Sequence, residues 1–347
     1  MYGFNTQQIN LKDENEVKQV SDFLQTFQLK LDDNVDYTIV IRQNEEIKAT
    51  CSKAKNVFKC FAVSDDLRGT GVSATLMGAV SDKLFEEGIY HSFIFTKVGN
   101  IDIFLSLGYK LIYKIENVAL LESGIYDIKE YLEKIQRKYN IDTTTKKSAI
   151  VMNCNPFTLG HRYLIEEAAR QSKEVLVFIV EEDKSSFPFI YRYKMVKEGV
   201  SHLNNVKVIK GGEYIISEAT FPTYFLRKKD EILKAYTTLD ASIFGRYFCE
   251  TLNITKRFIG EEPYCEVTNA YNDALKAILP TYGVEVIEVK RKAYMDDIIS
   301  ASKVRKLIVE GKIADIQHIV PRSTWEFLNT VVGKEIMERI KLNDSAH

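Results

Sequence analysis

From residue 149 onward, short apolar runs alternate with longer stretches of helical period, and this alternation limits the fold more than any other feature of the chain. Strands are expected at Ala149–Asn153, Val175–Val180, Val206–Ile209, Ala241–Phe244, Arg257–Gly260 and Val284–Val289. Helical patterns lie between most of them, at Arg162–Gln171, Tyr191–Leu203, Tyr224–Ala235 and Val267–Leu279, and a last one at Ser302–Glu310 stops at Gly311. Repeated strand–helix units demand a mostly parallel sheet with helices on both faces, because each parallel return needs a crossover. Ligands in such sheets bind at the carboxyl ends of the strands.

The first of those ends reads "VMNCNPFTLGHRYLIEEAA". Asn155 and Pro156 break the strand, Gly160 permits a close backbone turn, and His161 opens the helix. Free N–H groups at a helix start, aligned with the positive end of its dipole, attract an anion. The imidazole adds a directed hydrogen bond, and Thr158 a hydroxyl. A histidine that only caps the helix is the plainer reading of this segment by itself. The far end of the chain carries a second such segment, "DDIISASKVRKLIVEG". Val304, Leu307 and Ile308 form its buried stripe, Ser300 and Ser302 sit at the helix start, and Ser302 shares the opposite face with Arg305. Hydroxyls beside a guanidinium fork suit phosphate. An ordinary N-cap and a solvated arginine are the alternatives.

The first half has a different rhythm. "YTIVIRQ", "EIKATCSKA" and "NVFKCFAV" read as strands, the first two joined by a turn at Asn44–Glu45. Val72, Leu76, Val80 and Leu84 then recur at helical spacing up to Gly88. "HSFIFT" is another strand, "NIDIFLSLG" a short helix, and "YKLIYKI" the last strand. Ile128, Tyr131, Leu132 and Ile135 make one stripe of a connecting helix, which the polar "DTTTKKS" follows as a linker. Three parts are expected: a domain over 1–121, a connecting helix and linker over 122–147, and a second domain over 148–347.

Lys plus Arg (47) nearly cancels Asp plus Glu (48), so no overall field favours nucleic acid. No apolar run approaches the length of a membrane span; "VLVFIV" is typical of the longest. The N-terminus has no signal-peptide core, and a cytoplasmic protein without nucleic-acid or membrane partners is expected. Five scattered cysteines suit neither a disulfide framework nor a zinc cluster, so isolated reduced thiols and no protein metal site are expected.

"TLGH" and "ISASKVR" together match the paired signatures of the nucleotidylyltransferase superfamily. With "FIVEEDKSSFPF", "GGEYIISEATFPTYF" and "RFIGEEPYCEVTNAYN", the stretch from about 149 to beyond 320 resembles the citrate lyase ligase family. The resemblance implies an α/β chain with an N-terminal GNAT-like mixed-sheet domain and a C-terminal Rossmann-like nucleotidylyltransferase domain. It implies an enzyme that uses ATP, with Mg2+, and acetate to acetylate the thiol of the citrate lyase acyl carrier subunit. That thiol ends a phosphoribosyl-dephospho-coenzyme-A arm. The route implied runs through acetyl-AMP and releases pyrophosphate and then AMP. By motif matching, the resemblance gives His161, Thr158, Ser302 and Arg305 the catalytic roles. It assigns Asn155, Pro156, Phe157, Gly160, Arg192, Gly260, Glu261, Ser300 and Lys303 to the nucleotide site. Gly260, Glu261 and Arg192 also have plain readings, as a strand-to-loop turn and a surface arginine. "EYIISEATFPTYF" (Glu213–Phe225) either lines the acetate pocket or packs sheet against helix.

"DLRGTGVSATLM" resembles the GNAT pyrophosphate loop, with Arg68 and Gly71 fitting the pattern, Gly69 in the loop between them, and Ser73 where a last glycine or alanine is usual. Its expected ligand is the diphosphate of the carrier's arm; the alternative is a scaffold that binds nothing. Two other activities use the same motifs: nucleotidyl transfer to a phosphorylated cofactor precursor, or GNAT-type acetyl transfer with a nucleotide-sensing second domain. A non-catalytic partner of the lyase is a further reading, which the paired phosphate motifs disfavour.

Overall fold

Gly71 and Gly88 both take positive φ, at 90° and 74°, and bracket the helix that the spacing of Val72, Leu76, Val80 and Leu84 predicts. That helix is one of the elements of a computed structural model describing residues 4–181, 185–216, 221, 229–262, 265–291, 293–294 and 297–344. Contacts divide the chain into two compact units, one of Met1–Tyr131 with Thr220–Leu239, the other of Leu132–Ala219 with Asp240–His347.

The first unit opens with β1 (Thr6–Gln8) and α1 (Glu14–Thr26), whose N-terminus is capped by Asp13 accepting from Asn15 and Glu16 N–H. It continues through β2 (Tyr37–Gln43), β3 (Glu46–Ala54), β4 (Val57–Val63), α2 (Val72–Glu86), β5 (His91–Thr96), α3 (Ile101–Ser106), β6 (Lys110–Lys114) and β7 (Ala119–Gly124). The sheet order is β1-β2-β3-β4-β5-β7-β6. Every pairing is antiparallel except β4 with β5, which are in register only at Val57–Phe93 and Phe58–Ile94. A mixed sheet of this kind is what the sequence leads one to expect of the first domain. Val72, Leu76, Val80 and Leu84 are all buried, in one core with Ile39, Cys51, Phe58 and Ile94.

The stretch 122–147 begins inside β7, carries α4 (Ile128–Lys138) and ends at the start of β8 (Lys147–Met152). Ile128, Leu132 and Ile135 are the buried stripe of α4.

The second unit alternates as expected: β8, α5 (Leu159–Arg170), β9 (Val175–Ile179), α6 (Phe189–Gly199) and β10 (Val206–Lys210). The long α7 (Lys229–Ile243) follows, and its last four residues belong to this unit. It runs on through a π-helical turn at Phe244–Cys249 into the short α8 (Glu250–Leu252). Then come β11 (Ile254–Gly260), α9 (Glu266–Ile278) and β12 (Glu285–Val289). A two-stranded ribbon of β13 (Ala293–Tyr294) and β14 (Asp297–Ile298) leads to α10 (Ala301–Val309). Three more helices close the chain: α11 (Ile313–Ile316), α12 (Arg322–Leu328) and α13 (Val331–Asp344).

The five strands β10-β9-β8-β11-β12 are all parallel. The chain winds outward from β8 in one direction and from β11 in the other. These central neighbours therefore flank a topological switch point, where a crevice opens at their carboxyl ends.

Ala241–Phe244, expected as a strand, is helical. Leu239, Asp240, Ala241, Ser242, Ile243 and Phe244 are all buried, so the segment has no polar face to give it a helical period. A short run of uniform burial reads alike for a central strand and an enclosed helix. Of the helix expected at Tyr224–Ala235, residues 224–228 lie outside the described residues.

Candidate active site

Thr158 ends the loop after β8 and caps α5. Its Oγ1 accepts the N–H of His161 (3.3 Å), and the imidazole Nδ1 of His161 accepts the N–H of Thr158 (3.1 Å). This reciprocal pair is a capping box with histidine in place of the usual Glu or Gln. It also fixes the tautomer. A neutral ring accepting at Nδ1 carries its proton on Nε2, which leaves an N–H as its free donor. Burial, helped by the charge of Arg291, pushes the His161 pKa down from its ordinary 6.5 to about 4. At neutral pH the ring is an uncharged donor. The first turn of α5 has one further N–H, that of Gly160, which makes no hydrogen bond among the described residues. Leu159 N–H goes to Ile319 O, and Arg162 N–H to Thr158 O.

Gly160 has a second role. A Cβ at this position would lie 2.8 Å from the carbonyl oxygen of Ile299, inside van der Waals contact. The chain entering α10 can thus lie directly against the first turn of α5. Ser300 caps α10 by accepting Lys303 N–H (3.1 Å), and Ser302 is exposed on its first turn. One turn on, Arg305 donates from Nη1 to the carbonyl of Asn155, tying α10 to the loop after β8. Burial lowers the pKa of this guanidinium, yet arginine stays charged at any working pH.

These elements line a cleft of about 760 Å³ at the carboxyl ends of β8 and β11. Asn155, Thr158, Gly160, His161, Gly260, Glu261, Ser300, Ser302 and Arg305 all face it. The two signature segments, far apart in sequence, therefore share one cavity. Gly260 ends β11 with its carbonyl held by Asn272 Nδ2 (2.9 Å), and Glu261 N–H bonds Val289 O (2.9 Å).

Four residues expected in the nucleotide site are elsewhere. Arg192 is fully buried and does not line the cleft. Its Nη1 donates to Asn153 O (2.6 Å), Asn153 Oδ1 (2.7 Å) and Val180 O (2.9 Å), and its Nε to Phe187 O (2.8 Å). It ties the ends of β8 and β9 to the start of α6, because those carbonyls emerge from the sheet without strand partners. Phe157 is fully buried, packed against Gly199 and roughly parallel to the His161 ring. Pro156 is buried beside it. Lys303 gives its backbone N–H to the Ser300 cap, and its side chain is not among the groups lining the cleft. In the first unit, Gly69 (φ 77°) and Gly71 (φ 90°) hold the turn before α2 in a conformation that L side chains rarely adopt. Arg68 is exposed and paired with Asp65 (2.8 Å). Of Glu213–Phe225, residues 217–220 and 222–225 lie outside the described residues.

Sequence reasoning missed other cleft residues. Arg291 follows β12 and pairs with Glu262 and the Glu261 carbonyl. Arg257 sits within β11, and Tyr271 and Asn272 on α9. A basic run, "KRK", just past the last parallel strand was the available signal for Arg291. An arginine inside a buried strand was the signal for Arg257. Among the described residues, no group of three or more His, Cys, Asp or Glu could hold a metal ion. Mg2+ carried by ATP takes its ligands largely from phosphate oxygens and water, so the cleft is compatible with it.

The citrate lyase ligase C-terminal domain family matches residues 147–328. The [citrate [pro-3S]-lyase] ligase of Escherichia coli (strain K12) is 35% identical over 320 residues, 90% of each chain. That of Haemophilus influenzae is 37% identical over 318 residues, 89% of this chain and 94% of the other. Among solved structures, a Vibrio parahaemolyticus protein provisionally assigned as a nicotinate-nucleotide adenylyltransferase aligns over 56% of this chain and 96% of its own, at 17% identity and TM-score 0.34. An aminoglycoside 6'-N-acetyltransferase complexed with coenzyme A aligns over 35% of this chain and 98% of its own, at 8% identity and TM-score 0.30.

Proposed function

Since the chain belongs to the citrate lyase ligase family, we propose that it activates acetate with ATP and passes the acetyl group to the thiol arm of the citrate lyase acyl carrier subunit. The observation that carries this reading is the meeting of two anion-binding helix starts, those of α5 and α10, in one cleft.

Acetate is a poor electrophile, and joining it to AMP supplies a leaving group. In the first step an acetate oxygen attacks the α-phosphorus, the bond to the bridging oxygen breaks, and pyrophosphate departs with the electron pair. In the second the carrier thiolate attacks the acetyl carbon and AMP departs. The first step moves negative charge toward the β-phosphate, so it needs aimed donors more than a protein nucleophile. The uncharged Nε2–H of His161, the N–H of Gly160, the Ser302 hydroxyl and Arg305 are such donors. Mg2+ bound with the nucleotide would screen the same oxygens. Asn155 and Glu261, beside Gly260, suit the adenosine end of the cleft. The turn at Gly69 and Gly71 suits the diphosphate of the carrier's arm.

The test is acetate-dependent exchange of label between pyrophosphate and ATP, followed by AMP release on adding deacetylated carrier. Exchange without carrier and AMP release only with it are expected. Exchange that ignores acetate but responds to a phosphorylated cofactor precursor would overturn the reading in favour of simple nucleotidyl transfer. Acetylation from acetyl-coenzyme A without ATP would overturn it in favour of a GNAT-type reaction.

A further inference from the structure

Arg257 is a cleft residue that the reaction outlined above leaves unused. It is 1% exposed, yet it lines the cavity. Its Nε and Nη1 are buried with no hydrogen-bond partner, and its side chain makes no hydrogen bond or ion pair among the described residues. What it has is the face of Phe244, 4.6 Å from Cζ to ring centroid. Asp240, whose charge reaches Arg257, makes no hydrogen bond to it and accepts instead from Ile216 N–H (2.7 Å) and from the Tyr271 hydroxyl. A buried guanidinium cannot shed its proton, and leaving its donors unmatched is costly. An anion is the missing partner.

We propose that Arg257 anchors the carboxylate of the acid substrate, holding it deeper in the cleft than the phosphates. The assignment rests on the ligase reading above. Three features favour a small monocarboxylate over a phosphate. Arg257 lies three residues before the end of β11, about 10 Å down the strand at 3.3 Å per residue, whereas the phosphate donors sit at the strand ends. A guanidinium edge matches the two oxygens of one carboxylate. Asp240, close by, disfavours a multiply charged group but tolerates a single negative charge that neutralises the arginine. Ile259, two residues on and projecting from the same face of β11, and Leu275 of α9 are apolar groups of the cleft suited to a methyl group. Phe258 packs with Ile165 of α5 and Val304 of α10, so Arg257 and Ile259 project from the other face of β11, and an acid seated there meets the nucleotide over the carboxyl end of that strand.

The experiment compares wild type with Arg257→Lys, which keeps the charge and loses the fork, and with Arg257→Met. The readout is ATP–pyrophosphate exchange at varied acetate and varied ATP. KM for acetate rises between about ten- and a hundredfold in Arg257→Lys, as expected for hydrogen bonds to a charged group. KM for ATP stays within about twofold, because the phosphate donors are untouched. An unchanged acetate KM, or equal rises for both substrates, overturns the assignment. Wild-type crystals soaked with trifluoroacetate, an unreactive carboxylate, give a second test that needs no variant to fold. Trifluoroacetate on the Arg257 guanidinium supports the assignment; trifluoroacetate on Arg291 or Arg305, or none bound, overturns it. Wild-type protein that shows no acetate-dependent exchange removes the ligase reading itself. A wild type that exchanges, with variants that match it, removes only Arg257.

Discussion

His161 serves two purposes with its two ring nitrogens. Nδ1 closes the capping box and Nε2 is left to donate. The roles can be separated. In His161→Glu the carboxylate still closes the box, since Glu is the usual residue there, but presents negative charge where the N–H was. The thermal midpoint should stay near wild type while acetate-dependent exchange falls at least about a hundredfold, the usual cost of losing one such donor. Protonation links this residue to stability. His161 titrates near 4 in the fold and near 6.5 when unfolded, so between those values the unfolded chain binds more protons and acid favours unfolding. Asp240 acts in the opposite sense. Burial lifts it from 3.8 to about 6, so over nearly the same window the fold holds the extra proton. The two slopes oppose each other. Asp240→Asn removes one of them, and its urea midpoint should drop more steeply than that of wild type from pH 6.5 to 4. Parallel profiles would mean that one of these residues is in a different environment.

At the scale of elements, the contact of α5 with the entry to α10 sets the cleft. Gly160→Ala forces a Cβ against the Ile299 carbonyl. Overpacking of this kind costs about 1–3 kcal/mol, and here it also parts the two grips. KM for ATP should rise while KM for acetate changes less. Arg192 predicts the reverse pattern. Arg192→Leu strands several buried carbonyls, each at a cost of about 1–3 kcal/mol. The protein should melt well below wild type, with kinetic constants little changed in whatever remains folded. The sequence reveals the elements unevenly, for physical reasons. The parallel strands are legible as short apolar runs, β8 and β9 being buried almost throughout, and α5, α6, α9 and α10 because each alternates between a buried and a wetter face. β1, α1, β7 and the closing helices α11–α13 are absent from the sequence reading. α1 carries Val17, Val20 and Leu24 at helical spacing behind the Asp13 cap, a legible period that the sequence reading passes over. Within the site, the helix-start residues are legible because their chemistry repeats in a short pattern. Arg257 and Arg291 carry weaker local signals, an arginine inside a buried strand and a basic run past the last one, and sheet order is what brings both to the cleft.

For the whole molecule, the proposed division of labour between the two units can be tested. Gly69→Leu with Gly71→Leu places side chains at two positive-φ positions without crowding a neighbour, since a Cβ there meets nothing within 4 Å. If the first unit handles the carrier's arm, acetylation of the carrier falls while acetate-dependent exchange persists. Equal loss of both would tie the turn to the nucleotide chemistry, and loss of neither would leave the first unit as scaffold. Among the described residues no helix is long and apolar enough to cross a membrane. The contact of Gly160 with Ile299 has a broader consequence. The starts of α5 and α10 are wedged together as the chain folds, so their spacing is set before any ligand arrives. If these are the two grips on ATP, as proposed above, the jaw needs little reordering to engage it, and its selectivity is a matter of span: a ligand too short to touch both sides forfeits half its hold.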